Sequence, residues 1–219
     1  MKMSEFTYTL PEEKIAKYPP EERGTTNLLV LNRADGSIEH KKYFNIPEYV
    51  SEGDVVVLNE TKVEKRRTYF KNINERELEV LFLNRIGDGR WYCLIKGGRY
   101  VECGDVLTSI EDEGIKVKVC ERSKAGFLVE PLSEEGEKIF DKVGHTPIPP
   151  YMKRSDTPED YVRYNTIFAR ILGSVAAPTA SLNLTDEILA QIEEKGVRIA
   201  KTELDRKSTR LNSSHVSQS

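Results

Sequence analysis

Apolar positions along this chain fall into short runs and alternations more often than into helical stripes, and glycine or proline separates most of them. Residues 6–10 predict an extended segment stopped by Pro11, and residues 12–18 leave room for a short helix before Pro19-Pro20. Residues 28–31 predict a strand, Asp35-Gly36 a hairpin turn, and residues 37–44 the returning strand. After Gly53-Asp54, the unbroken apolar run 55–58 predicts a strand buried on both faces.

Between residues 77 and 132 the pattern tightens. Short strands are predicted over 78–83, 91–95, 106–110, 115–119 and 127–129, with glycine in every turn between them. That regular spacing predicts a small antiparallel barrel or sandwich. Residues 134–143 then predict a helix capped by Ser133, with Ile139, Phe140 and Val143 on one face and Gly144 at its end. Pro147, Pro149 and Pro150 make the next stretch a rigid connector. Thr157-Pro158-Glu159-Asp160 supplies an N-cap, a first-position proline and an acidic third position, so a short helix starts there. A clearer helix is predicted over 186–195, capped by Thr185 and stopped by Gly196, and residues 197–200 read as a strand.

Composition changes this picture little. With 38% hydrophobic and 32% charged residues the 219-residue chain is balanced for folding, as one large domain or two small ones, up to about Leu204. Residues 206–219 have no apolar period and resemble an appended, non-native tail, expected to be disordered. A formal charge of −3 gives no global field for nucleic acid, so any RNA contact needs a local basic patch. Cys93, Cys103 and Cys120 fit neither a zinc knuckle nor a disulfide framework, and reduced, mostly buried thiols are expected. No run is long enough to span a bilayer, and a soluble cytoplasmic protein is expected.

Candidate chemistry enters through four ordered stretches. They are Phe6-x-Tyr8-x-Leu10-Pro11 leading to Arg23 and Leu28-Leu29-Val30-Leu31; Gly53-Asp54-Val55-Val56-Val57-Leu58-Asn59-Glu60-Thr61-Lys62-Val63 ending at Arg67; Gly144-His145-x-Pro147-Ile148-Pro149-Pro150-Tyr151-x-x-Arg154 with Tyr164-Asn165-Thr166; and Val175-Ala176-Ala177-Pro178-Thr179-Ala180. In this order they resemble the S-adenosylmethionine:tRNA ribosyltransferase-isomerase family of queuosine biosynthesis.

The resemblance implies an α+β protein: a discontinuous α/β domain with an inserted small antiparallel β-barrel domain. Residues 1–70 would be its first part, 71–147 the barrel and 148–205 the second, truncated part. It also implies transfer and isomerisation of the ribosyl part of S-adenosylmethionine onto 7-aminomethyl-7-deazaguanine at the tRNA wobble position, giving epoxyqueuosine. The cosubstrate is consumed, no metal is expected, and the partners are S-adenosylmethionine and the tRNA anticodon loop, met by a monomer. Ala177, Pro178, Thr179 and Ala180 would wall the cosubstrate pocket, and Lys62, Arg67, Tyr151 and Arg154 would meet RNA. The resemblance assigns no catalytic residue.

The chain departs from the family pattern in three places. Ser181 and Asn183 stand where the family has glycine and histidine, Lys62 replaces an arginine, and Asp205-Arg206-Lys207 stands where a Gly-rich family element would begin. Little or no turnover by the 219 residues is therefore expected, and a non-catalytic tRNA-binding module or an inactive fragment are the alternatives.

The residues themselves leave bland readings open. The basic run at Lys62, Lys65, Arg66, Arg67 and Lys71 is either a solvated strand end or a phosphate-gripping patch. Pro149-Pro150-Tyr151 with Arg154 is either a braced linker or an aromatic-cation platform. Asp54 and Glu60 flank the strand and could face a cation, unless Asp54 only closes a Gly-Asp turn, and His145 is either a cap or packing residue or an acid-base group.

Overall fold

A computed structural model describes residues 3–132 and 136–203. The expected cap at Ser133 and the tail 206–219 lie outside the described residues.

Near the N-terminus, β1 (Asn27–Leu31) and β2 (Ile38–Lys42) form the predicted hairpin, Leu29 opposite His40. Asp35 closes its turn by accepting the Ser37 N–H at 2.9 Å. The returning strand stops at Lys42, short of the expected residue 44, because residues Tyr43–Tyr49 coil into a 3-10 helix containing Pro47. The helix expected over 12–18 shrinks to one 3-10 turn, Glu12–Lys14.

β3 (Val55–Asn59) runs parallel to β12 (Arg198–Thr202), with Val56 opposite Ile199. Helix α3 (Asp186–Glu194) lies between them in sequence. As expected, the Thr185 hydroxyl caps it, accepting the Ile188 N–H at 3.3 Å. Leu58, Leu184, Ile188, Ile192 and Val197 form its core, with Val56 and Ile199 packed against them. The prediction of β3 as a strand buried on both faces is corrected. Strand side chains alternate and α3 covers one face only, which leaves Val55 and Val57 45% and 62% exposed. Beyond it, β4 (Thr61–Val63) pairs in parallel with β11 (Ile171–Ser174).

Between β4 and β11 in sequence the chain builds a closed six-stranded antiparallel barrel from β5 (Arg67–Lys71), β6 (Glu77–Arg85), β7 (Trp91–Lys96), β8 (Val106–Ser109), β9 (Lys116–Ser123) and β10 (Gly126–Pro131), in the order β10-β7-β6-β5-β8-β9. Closure leaves no strand edge exposed. Five of its strands are those predicted. The sixth, β5, reads in the sequence only as a basic run, and it spans the unit boundary expected at residue 70. Leu78, Val80 and Phe82, Cys93 and Ile95, and Val117 and Val119 alternate into the interior. At β10, an added Cβ on Gly126 would stand 2.5 Å from the Cys93 carbonyl oxygen, so only glycine permits that strand approach.

Helix α1 (Gly136–Val143) adds Ile139, Phe140 and Val143 to this core. Phe82, Trp91 and Phe140 meet edge to face at centroid distances of 5.2–5.9 Å. Gly144 follows, and a side chain there would strike the Phe140 and Lys65 carbonyls. The chain then pairs His145 with Arg67 and enters the proline connector, which leads to α2 (Pro158–Arg163) and on to β11. The α/β portion is therefore built from both sides of the barrel, giving the α+β class expected.

The expectation of mostly buried cysteines is also corrected: Cys93 is buried, Cys120 half-buried and Cys103 exposed, all three as free thiols. Burial pushes the Cys93 thiol up to about 12.

Candidate functional site

The loop expected to wall the cosubstrate pocket follows β11. Register slips between Leu172 and Ser174, and the Ser174 hydroxyl donates to the Ala176 carbonyl at 2.7 Å. Ala177 and Pro178 are half-buried, whereas Thr179 and Ala180 are exposed on a single 3-10 turn, Thr179–Ser181.

Distant parts of the chain hold this loop. The Tyr43 hydroxyl donates to the Ala180 carbonyl at 2.8 Å. Arg23 donates to the Leu182 carbonyl at 2.6 Å and to the carbonyls of Val162 and Asn165 at 3.0 and 2.8 Å, so one guanidinium ties the N-terminal segment, α2 and the loop together. Asn165 is buried and bonds Val63 at both ends, accepting its N–H at 2.7 Å and donating to its carbonyl at 3.3 Å.

Tyr164 brings two of the expected groups together. Its phenol oxygen bonds the Ala177 backbone, and both Tyr151 and the Arg67 guanidinium are within electrostatic range. Burial pushes the phenol above its ordinary pKa and outweighs the opposing pull of Ala177 and Arg67. At neutral pH Tyr164 is thus an O–H donor and not a phenolate.

Among the residues expected at RNA, the structure separates committed side chains from available ones. Arg67 is 13% exposed, donates to the Ile148 carbonyl at 2.9 Å and lies 3.0 Å from Glu79. Arg154 is 9% exposed and forks onto Asp160 at 2.6 and 2.8 Å. It also donates to the Lys17 carbonyl at 2.7 Å and stacks on Tyr18 at 4.4 Å. That fork holds the Asp160 carboxyl below the usual carboxylate range in spite of burial. By contrast Tyr151 is 58% exposed, and Lys62 is half-buried with its ammonium 6.0 Å from the Tyr161 ring centre.

The remaining candidates find fold partners. Asp54 closes a turn by accepting the Ser51 N–H at 2.8 Å, Glu60 pairs with Arg170 at 2.8 Å, and Lys71 pairs with Glu75 and Glu113. His145 lies between Asp156 at 2.8 Å and Glu111 at 3.1 Å, engaged at both ring nitrogens, and ties a barrel turn to the connector. Among the described residues, no group of three or more His, Cys, Asp or Glu side chains is placed to hold a metal ion. Likewise no described helix is long and apolar enough to cross a membrane. Sequence reasoning missed Arg23 as an organising group, because its partners lie 139–159 residues away; the Tyr164–Ala177 bond spans only 13 residues but crosses β11 and its loop, with no local pattern to signal it.

Comparison with known proteins adds the family. A family model described as "Queuosine biosynthesis protein" matches residues 3–218. A protein of Aquifex aeolicus named S-adenosylmethionine:tRNA ribosyltransferase-isomerase is 45% identical over 201 residues, 91% of this chain and 59% of the relative. A protein of the same name from Chlorobium phaeovibrioides is 41% identical over 200 residues, again 91% of this chain and 58% of the relative. The crystal structure of an S-adenosylmethionine tRNA ribosyltransferase from Thermotoga maritima is 29% identical, covers 90% of this chain and 56% of that one, and superposes with a TM-score of 0.35. The chain thus spans less than two thirds of the length of these relatives. With the model matched from residue 3 to residue 218, this chain belongs to the queuosine biosynthesis protein family.

Proposed function

We propose that this protein acts in queuosine biosynthesis as an S-adenosylmethionine-dependent tRNA ribosyltransferase-isomerase. In this reading it moves the ribosyl part of S-adenosylmethionine onto 7-aminomethyl-7-deazaguanine at the wobble position of tRNA, forms epoxyqueuosine and releases adenine and methionine. The observation that carries the reading is the 45% identity, across 91% of the chain, to a relative bearing that name. S-adenosylmethionine is consumed, no metal takes part, and the protein works as a cytoplasmic monomer. Its architecture divides into an α/β unit drawn from both ends and an inserted barrel.

Within this reading the loop Ala177, Pro178, Thr179 and Ala180 receives the cosubstrate. Small side chains let its backbone approach a ligand closely, and the exposed Thr179 hydroxyl adds a polar contact. Tyr164, neutral and bonded to the Ala177 backbone, adds an O–H donor beside the same segment. Tyr151 offers an exposed ring to an unpaired base of the anticodon loop, where stacking contributes about 1–3 kcal/mol. Lys62 contacts phosphate directly. Arg67 and Arg154 serve the RNA face by fixing the connector that carries Tyr151, since their own donors are engaged within the fold.

The test is adenine release from S-adenosylmethionine, followed by chromatography, with tRNA carrying the 7-aminomethyl-7-deazaguanine base. Release that depends on that tRNA, slow because Ser181 and Asn183 stand where the family has glycine and histidine, is the expected result. A gel shift of the tRNA without adenine would instead assign a binding module, and neither a shift nor adenine would refute the reading altogether.

A further inference from the structure

Most basic residues flanking the candidate loop have a hydrogen-bond or ion-pair partner within the fold, the pairs of Lys153 and Arg170 lying at the surface. In segments 60–67 and 150–170, Arg66 bonds Glu64 and the Leu83 carbonyl, Arg67 is held by Glu79 and Ile148, and Lys153 pairs with Glu12 at 2.8 Å. Arg154 forks onto Asp160, Arg163 donates to the Pro20 and Glu21 carbonyls, and Arg170 meets Glu60. Lys62 and Lys65 remain. Among the described residues neither has a carboxylate at ion-pair distance, and both direct their ammonium groups at one ring, Tyr161, at 6.0 and 5.0 Å from its centre.

That arrangement leaves both cations without a counter-ion among the described residues. Two like charges are gathered on one patch, and the acid between them, Glu64, is already taken by Arg66. A cation over a phenol ring gains only about 0.5–1 kcal/mol when exposed. An anion brought by a ligand would supply the missing counter-charge. Position says which ligand: Lys62 lies on β4 opposite Leu172 of β11, and the Glu64 N–H bonds the Ser174 carbonyl at 3.1 Å, at the entry to the Ala177–Ala180 loop.

We propose that Lys62 and Lys65, spread over Tyr161, form a clamp for RNA phosphodiesters beside the cosubstrate loop. This rests on the reading of the protein as one that acts on tRNA. The two ammonium groups neutralise neighbouring phosphates and set the register in which the base enters, while supplying no base specificity of their own.

The experiment is the salt dependence of tRNA binding by the full chain and by the Lys62→Ala/Lys65→Ala variant, from 50 to 200 mM salt. Loss of two phosphate contacts flattens the slope of log affinity against log salt by about 1.4–1.8. Across that fourfold range the variant then loses about tenfold less affinity than the parent. S-adenosylmethionine affinity stays unchanged, and Lys62→Arg/Lys65→Arg keeps the parental slope. An unchanged slope in a variant that still binds tRNA overturns the clamp and leaves the functional reading standing. A variant with normal tRNA binding but weakened S-adenosylmethionine binding also overturns it, by assigning the lysines to the cosubstrate carboxylate. If the parent binds no tRNA at all, the functional reading fails and the clamp with it.

Discussion

Asp160→Asn removes one charge from the most buried ion pair near the candidate site. Both side chains are under 10% exposed, and the two contacts, 2.6 and 2.8 Å, have the parallel fork geometry that makes such pairs strong. Asp160 also starts α2, accepting the Thr157 N–H at 2.7 Å and its hydroxyl at 3.2 Å. Stranding one partner of a buried pair costs about 3–5 kcal/mol. Arg154 keeps the Lys17 and Ser155 carbonyls and the Tyr18 ring, and asparagine keeps one acceptor for the cap, so the lower end, about 3 kcal/mol, is expected. Urea unfolding followed by far-ultraviolet circular dichroism measures it, and Trp91, the chain's single tryptophan, reports the barrel separately. The pH dependence has a definite sign. Because the folded Asp160 carboxyl titrates below its unfolded value, its contribution is complete above the ordinary aspartate range near pH 4 and disappears as pH falls through the lowered value. Asp160→Asn should therefore flatten the acid side of the stability profile. A loss under about 1 kcal/mol, or additivity within about 0.5 kcal/mol with Arg154→Met, would refute the reasoning.

Other perturbations read other parts of the account. Tyr164→Phe deletes the oxygen bonded by Ala177, and a loss of about 1 kcal/mol in S-adenosylmethionine binding by calorimetry is expected, with stability changed little more. Phe140→Ala empties the aromatic corner against Phe82 and Trp91, so barrel stability should fall by about 3–5 kcal/mol on Trp91 fluorescence. Gly144→Ala forces backbone against backbone at Phe140 and Lys65, and a drop of at least about 1 kcal/mol is expected in the same assay. A thiol reagent should label Cys103 in the folded protein and leave Cys93 untouched until unfolding, since burial both shields that thiol and keeps it protonated.

What the sequence reveals here is what local chemistry controls. Glycine turns and alternation locate β6 to β10, and Thr185 and the Thr157-Pro158 start locate α3 and α2, because the forces that set these elements act within a few residues. β5 is missed because its outward positions, Arg67, Tyr69 and Lys71, dominate the reading while Thr68 and Phe70 point inward. The parallel pairs β3–β12 and β4–β11 join residues more than 100 positions apart, with no turn to announce them. The candidate site divides the same way. The small-residue loop and the exposed Tyr151 could be singled out as letters, but which cations stay available depends on carbonyls and carboxylates supplied from elsewhere in the chain.

The central claim is that S-adenosylmethionine binds at the loop joining β11 to α3. Amide hydrogen exchange of the full chain, with and without S-adenosylmethionine, tests it most directly. Slowed exchange over residues 174–182 and around Tyr164 is predicted, with the barrel strands unchanged. Protection confined to the barrel, or none at saturating S-adenosylmethionine, would contradict it.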